Sequence, residues 1–155
     1  TASSLAAGCL MAAFGALGAW ALTGVGDPRQ AMVAVWCASV VGACLGFLWF
    51  NSAPASVFLG DVGALGLGGA LGVLALLAQA ALALVVIGGV FVAEAASVML
   101  QVASYRWRNK RRIFRVAPLH HHFHVGGMTE PKLVVRFWIV GVLLAALGLT
   151  ALVHA

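Results

Sequence analysis

Apolar runs of about the length that spans a bilayer repeat along almost the whole chain, and they limit its fold more than any motif in it. A spanning helix needs about 20 mostly apolar residues. Five such runs are separated by polar punctuation. The first extends from about Leu5 to Thr23 and stops at the turn-rich Gly24-Val25-Gly26-Asp27-Pro28-Arg29, where Gly and Pro end a helix. The second covers about Ala31 to Phe50, and the polar break Asn51-Ser52-Ala53-Pro54-Ala55-Ser56 follows it. The third begins near Val62 and ends around Gln79, the fourth covers about Leu82 to Val102, and the fifth runs from about Leu133 to Val153. Only Gln79 separates the third from the fourth, so a short turn is expected there. Of 155 residues, 63% are hydrophobic and 8% charged, whereas soluble domains carry roughly a quarter charged residues. In lipid, backbone polar groups must be satisfied within the chain. The predicted fold class is therefore all-α, a polytopic membrane protein with about five transmembrane helices.

The net charge of +5 does not point to nucleic acid, because the charges are not spread as a binding face. Eight of nine Lys and Arg residues (Arg106, Arg108, Lys110, Arg111, Arg112, Arg115, Lys132 and Arg136) lie within or beside one connection, and only Arg29 lies elsewhere. This is the positive-inside pattern. It predicts that 104–131 is a cytoplasmic basic and histidine-bearing loop, with anionic membrane lipids or an anionic substrate as its partners. Alternation then puts 51–61 and the N-terminal edge on the same face, and 24–30, the turn near Gln79 and the C-terminus on the other. Cys9, Cys37 and Cys44 sit inside apolar runs and are expected as buried small hydrophobes, without a disulfide framework or zinc spacing. With no initiator Met and no basic segment before the first run, the expectation is a piece of a longer polypeptide whose first helix is a span, not a cleaved signal.

Glycines cluster at Gly60, Gly63, Gly66, Gly68, Gly69 and Gly72, and Gly42 and Gly46 form a further small-xxx-small step. Small residues let helices approach closely in lipid, so these are expected to pack, with Gly60 and Gly63 set apart because they flank Asp61. Among four acids, Asp27 is expected to cap or face solvent in an outer turn, and Glu130 to suit the first turn of the last helix. Asp61 stands at the mouth of an apolar helix. It is either an N-cap or a ligand for Mg²⁺, which takes few carboxylates and completes its shell with substrate phosphates. Glu94 lies inside the fourth run, where an acid is expensive and expected to be paired or functional.

Ala117-Pro118-Leu119-His120-His121-His122-Phe123-His124 holds four histidines within five residues. Consecutive histidines rarely converge on one tetrahedral ion, whereas imidazoles donate well to phosphate or sugar oxygens.

Four motifs in series now become recognisable. They are Phe47-Leu48-Trp49-Phe50-Asn51 leading into Pro54-Ala55-Ser56-Val57-Phe58-Leu59-Gly60-Asp61-Val62-Gly63; Gly88-Gly89-Val90-Phe91-Val92-Ala93-Glu94 with Leu100-Gln101-Val102; Arg112-Ile113-Phe114-Arg115-Val116-Ala117-Pro118-Leu119-His120-His121-His122-Phe123; and Glu130-Pro131-Lys132 with Val135-Arg136-Phe137-Trp138. From about Trp36 to Leu152 the chain resembles the phospho-N-acetylmuramoyl-pentapeptide transferases, a family of polyprenyl-phosphate phospho-sugar transferases. The resemblance implies that 1–155 is a single membrane domain, the C-terminal half of a ten-helix enzyme of the bacterial cytoplasmic (inner) membrane with its active site facing the cytoplasm. Such enzymes move phospho-MurNAc-pentapeptide from UDP-MurNAc-pentapeptide to undecaprenyl phosphate with Mg²⁺, giving lipid I and UMP. They thereby serve peptidoglycan synthesis, cell wall biogenesis, cell shape and cell division. By motif, Asp61 corresponds to a catalytic, metal-binding acid and Phe58 to an aromatic that stacks on uracil. His120, His121 and His122 match the catalytic triple-histidine signature. Asn51, Gly60, Gln101 and Ala117 fall at substrate-binding positions. A homodimer is compatible with the resemblance.

The chain also departs from that pattern. Before Leu5-Ala6-Ala7-Gly8 the family has Thr-Asp-Gly-Leu-Asp-Gly, where this chain has Thr1-Ala2-Ser3-Ser4, and the paired aspartates of an earlier loop are absent. The chain alone is therefore expected to be inactive and to hold part of a site. Alternatives are a related transferase acting on UDP-GlcNAc, which is expected to lack the Ala-Pro-x-His-His-His run, and a degenerate non-catalytic membrane protein. A channel or transporter fragment fits less well, because transporters gather polar groups at mid-membrane.

Overall fold

A computed structural model of the chain describes residues 2–24, 26–51, 56–107 and 112–154. Arg108, Lys110, Arg111 and part of the 51–56 break lie outside the described residues. The described chain is all-α: α1 (Ala2–Ala21), α2 (Pro28–Asn51), α3 (Gly60–Leu77), α4 (Ala81–Ile87), α5 (Gly89–Trp107), α6 (Leu119–Val125) and α7 (Glu130–Val153). α1, α2, α3 and α7 are each long and apolar enough to cross a membrane. The fourth apolar run supplies a fifth span only as a broken pair, because α4 and α5 meet at 78° instead of forming one straight helix. Gly88 leaves helical geometry (φ −91, ψ 19), and its N–H closes α4 on the Leu84 carbonyl. The inside of the bend is pressed against α7: a Cβ on Gly89 would sit 2.9 Å from Leu144 Cδ1.

Local chemistry sets the helix ends. Asp27 Oδ1 accepts the Arg29 N–H at 2.9 Å and the Asp27 carbonyl accepts the Ala31 N–H, so α2 opens with a capping acid followed by Pro. The short turn expected at Gln79 is present, with Gln79 at φ 57. α7 begins at Glu130 with Pro131 in its first turn.

α1 is the hub, packing along α2 and α7 and touching α3 and α4. Helices in lipid gain little hydrophobic free energy by associating, so close packing and hydrogen bonds decide their partners. The small side chains of α1 allow this. At Gly8 a Cβ would overlap the Trp138 indole, which donates Nε1–H to the Ser4 carbonyl at 3.0 Å. Leu10, Ala13, Phe14 and Leu17 bury against Val33 and Cys37 of α2, Leu74 of α3 and Ile87 of α4. A second cluster joins Leu5 and Cys9 to Val90, Leu133 and Val134. All three cysteines are free and buried.

Hydrogen bonds between helices define two ends of the bundle. At one, Trp20 Nε1–H and Gln30 Nε2–H both reach the Ala78 carbonyl, at 3.2 and 3.5 Å. At the other, the Leu59 N–H donates to Ser3 Oγ at 3.2 Å, a few residues from the Trp138–Ser4 bond. The starts of α1, α3 and α7 therefore share this second end with the polar segments. The glycines of α3 do not pack as expected. A Cβ added at Gly66, Gly68, Gly69 or Gly72 meets nothing within 4 Å among the described residues, and the same holds at Gly42 and Gly46. Periodic small residues permit an interface but do not supply the facing helix.

Candidate active site

The loop before α3 is shaped by Asn51, the last residue of α2. Its side chain is buried, with Nδ2–H donating to the Val57 carbonyl, while its Oδ1 has no partner among the described residues. The Ser56 N–H and hydroxyl both return to the Phe50 carbonyl, at 3.1 and 2.8 Å. This turn delivers Phe58 to the surface at 71% exposure. Gly60 follows at φ +66, a left-handed conformation that L side chains rarely adopt, and re-aims the chain into α3. Asp61 lies in the first turn of α3, exposed and without a hydrogen bond or ion pair among the described residues. It is not the cap: α3 has no side-chain cap bond, and Leu59 stands at that position. Negative charge in a first turn is favoured by the helix dipole, which leaves the carboxylate stable and open to a ligand.

The histidine segment is held differently. Gln101 of α5 brackets the chain after the basic loop: its Oε1 accepts the N–H groups of Ile113 and Phe114, at 3.1 and 2.9 Å, and its Nε2–H donates to the Phe114 carbonyl at 3.0 Å. Gln101 and Ala117, both expected at substrate-binding positions, line one open cavity of about 440 Å³ with Tyr105, Arg106, Arg112 and Arg115. Beyond it, Glu94 meets His120 twice. One carboxylate oxygen accepts the His120 backbone N–H at 3.1 Å and the other lies 3.1 Å from Nδ1. Both side chains are mostly buried, at 15% and 16% exposure. The contact supplies an orphan amide at the start of α6 with an acceptor and holds Nδ1–H toward Glu94, so that Nε2 faces the other way. His121 is exposed, its ring centroid 4.2 Å from that of His120. His122 turns elsewhere, accepting the Arg115 N–H on Nδ1 at 3.2 Å.

The sequence singled out Glu94 but not its partner 26 residues away. A carboxylate expensive in an apolar run signalled that some partner exists, and nothing local specifies which. The two halves of the site are carried by different packing partners. α6 packs on α5 and α7, α3 packs on α1, α2 and α4, and the first turn of α1 bridges them through Ser3 and Ser4. No three metal-binding side chains converge among the described residues. The arrangement fits a cation that keeps water and substrate oxygens around a single protein carboxylate, as Mg²⁺ does, and not a closed cage. His120 and His122 direct their Nδ1 atoms to different partners, Glu94 and the Arg115 N–H.

The sequence that builds this bundle matches a known class. The model of glycosyl transferase family 4 fits residues 3–79. Over 125 residues, 81% of this chain, the sequence is 57% identical to the phospho-N-acetylmuramoyl-pentapeptide-transferase of Citrifermentans bemidjiense. A Geobacter species has a relative of the same name and identity, and Thermodesulfovibrio yellowstonii one at 55%. By sequence the chain is similar to these bacterial transferases and, over residues 3–79, to glycosyl transferase family 4. It spans about a third of their length, 35% of each.

Proposed function

We propose that the full-length parent of this chain transfers phospho-MurNAc-pentapeptide from UDP-MurNAc-pentapeptide to undecaprenyl phosphate at the cytoplasmic face of the bacterial inner membrane, and that this chain supplies part of the site. The observation that carries the reading is the gathering of an unpartnered Asp61 and a Glu94-held His120 at one end of the bundle. In the net reaction a phosphate oxygen of the carrier forms a new phosphoanhydride with the sugar-linked phosphorus, the old phosphoanhydride breaks, and UMP leaves. Several negative charges meet, so catalysis rests on positioning and charge neutralisation. Asp61 is the residue to hold Mg²⁺, which supplies that neutralisation when bound. His120 and His121 offer donors to phosphate oxygens, and exposed Phe58 offers a face for uracil stacking. Gln101 and Ala117 border the nucleotide side, and Asn51 and Gly60 shape the turn that presents Phe58 and Asp61.

The test is formation of lipid-linked product from labelled UDP-MurNAc-pentapeptide by the full-length parent in detergent. Asp61→Asn should leave the thermal melt and UDP-sugar binding intact and abolish Mg²⁺-dependent turnover. A folded Asp61→Asn protein turning over near the wild-type rate overturns the assignment, and turnover of UDP-GlcNAc in preference identifies the related transferase instead.

A further inference from the structure

α6 has a second face, away from the contact between Glu94 and His120. His120 and His122 lie two residues apart, about 200° round a helix, so that where His120 meets Glu94, His122 opens on the opposite flank. There it lines a cavity of about 680 Å³ with Arg115, Lys132 and Arg136, three exposed cations that no ion pair joins to an acid among the described residues. The one side-chain hydrogen bond among them runs from Arg136 Nη1 to the Met128 sulfur, at 3.9 Å. The opening lies beside the first turn of α7, whose dipole adds to the positive potential.

This cavity does not end at the cations. Phe123, Met128 and Arg136 also line an apolar cavity of about 320 Å³ that continues along α7 past Phe137 and Val140 to Leu144. From Lys132 to Leu144 the helix rises about 18 Å. Neither cavity is lined by Asp61, Glu94 or His120. A merely solvated basic loop has no reason to open onto an apolar channel running toward mid-bilayer. A ligand with a phosphate at one end and a hydrocarbon chain at the other satisfies both parts.

We propose that this crevice binds an anionic phospholipid of the leaflet at this end of the bundle. Its phosphate lies among Arg115, Lys132 and Arg136, and one acyl chain lies along Met128, Phe137, Val140 and Leu144. The commitment is to a leaflet lipid and not to the carrier substrate, because neither Asp61 nor the Glu94 and His120 pair lines the crevice. The site stands whether or not the proposed reaction is correct.

The experiment reads retained lipid and not turnover. The full-length parent is purified from membranes containing phosphatidylglycerol and phosphatidylcholine, and bound lipid is counted by native mass spectrometry. Wild type should retain phosphatidylglycerol selectively. Arg115→Gln, Lys132→Gln and Arg136→Gln should each weaken retention about fivefold, the scale of one cation near an anionic surface. Val140→Trp, which fills the apolar part and leaves every charge, should also displace the lipid. If a combined charge variant does not fold, the single Lys132→Gln and Val140→Trp proteins still decide the matter. Unchanged retention in both overturns the proposal. So does displacement by millimolar inorganic phosphate, which marks a simple anion site, or by polyprenyl phosphate at far lower concentration than phosphatidylglycerol, which marks the carrier's own site.

Discussion

The loop that carries Asp61 and the segment that carries His120 are built by the same device and end in opposite states. In each, an amide side chain near the end of a helix replaces the backbone partners that a loop lacks: Asn51 reaches the Val57 carbonyl and Gln101 brackets Ile113 and Phe114. Yet His120 is gripped at two atoms by Glu94, whereas Asp61 touches no polar partner among the described residues. A group that must donate in a fixed direction gains from being locked before substrate arrives. A carboxylate that must accept a cation gains from having no competitor. The difference teaches that one region is preorganised by the chain itself and the other is left open to solvent.

The largest effect expected from this contrast is at the open side. Asp61→Asn in the full-length parent should lower product formation about 10²–10³-fold, the scale of removing one group that stabilises transition-state charge, with no shift in the thermal melt. A loss of stability of the same size as the loss of turnover would show that Asp61 is not open at all. On the gripped side, Glu94→Gln should lower turnover about 10–100-fold, as outer partners of functional histidines commonly do. Because Glu94 orients and does not react, His120 resonances in ¹⁵N-histidine-labelled protein should show loss of the Nδ1–H tautomer. An unchanged tautomer would mean that the carboxylate only fills space.

How much of this was legible depended on whether the governing interaction was local. Four of the five apolar runs became helices within a few residues of their expected ends, for example Leu133 to Val153 against Glu130–Val153, because transfer to lipid depends on composition alone. The fourth run became α4 and α5 because hydropathy is continuous across Gly88-Gly89 and does not register a 78° bend. The glycine cluster of α3 invited a packing interface, yet Gly66, Gly68, Gly69 and Gly72 face none among the described residues, while Gly8, outside any cluster, carries the tightest approach. Which small residue packs depends on whether a Trp138 faces it, and that is a property of two distant segments. Asp61, Phe58 and the histidine run were visible as residue types in unlikely places. Their unequal anchoring was not, since it rests on Glu94, Gln101 and Asn51 meeting chain that lies several residues or turns away.

The bridge between the regions gives the next test. Gly8→Ala places a methyl where the Trp138 indole lies, so the ring must move and its bond to the Ser4 carbonyl is strained or lost. Overpacking of this kind costs about 1–3 kcal/mol, read as a lower melting temperature. The double variant Gly8→Ala with Trp138→Phe should recover part of the loss. Failure to recover would locate the strain elsewhere than in this contact.

The smallest effects separate the two amides. Gln101→Ala removes three hydrogen bonds, and at about 0.5–1.5 kcal/mol net each, a loss of about 2 kcal/mol is expected. Asn51→Ala removes only one, to the carbonyl of Val57, a residue exposed enough for water to take over that acceptor. The same substitution also deletes Oδ1, a buried oxygen left without a partner among the described residues, and an unsatisfied buried group costs about as much as a made bond contributes. The two terms oppose each other, so Asn51→Ala should change stability by less than about 1 kcal/mol while raising the mobility of Phe58 and Asp61. Denaturation of the two variants side by side, with exchange of the Val57–Asp61 amides measured in each, checks both statements. If Asn51→Ala proves the more destabilising, the Asp61 loop is the anchored region and the contrast between the two halves of the site is reversed.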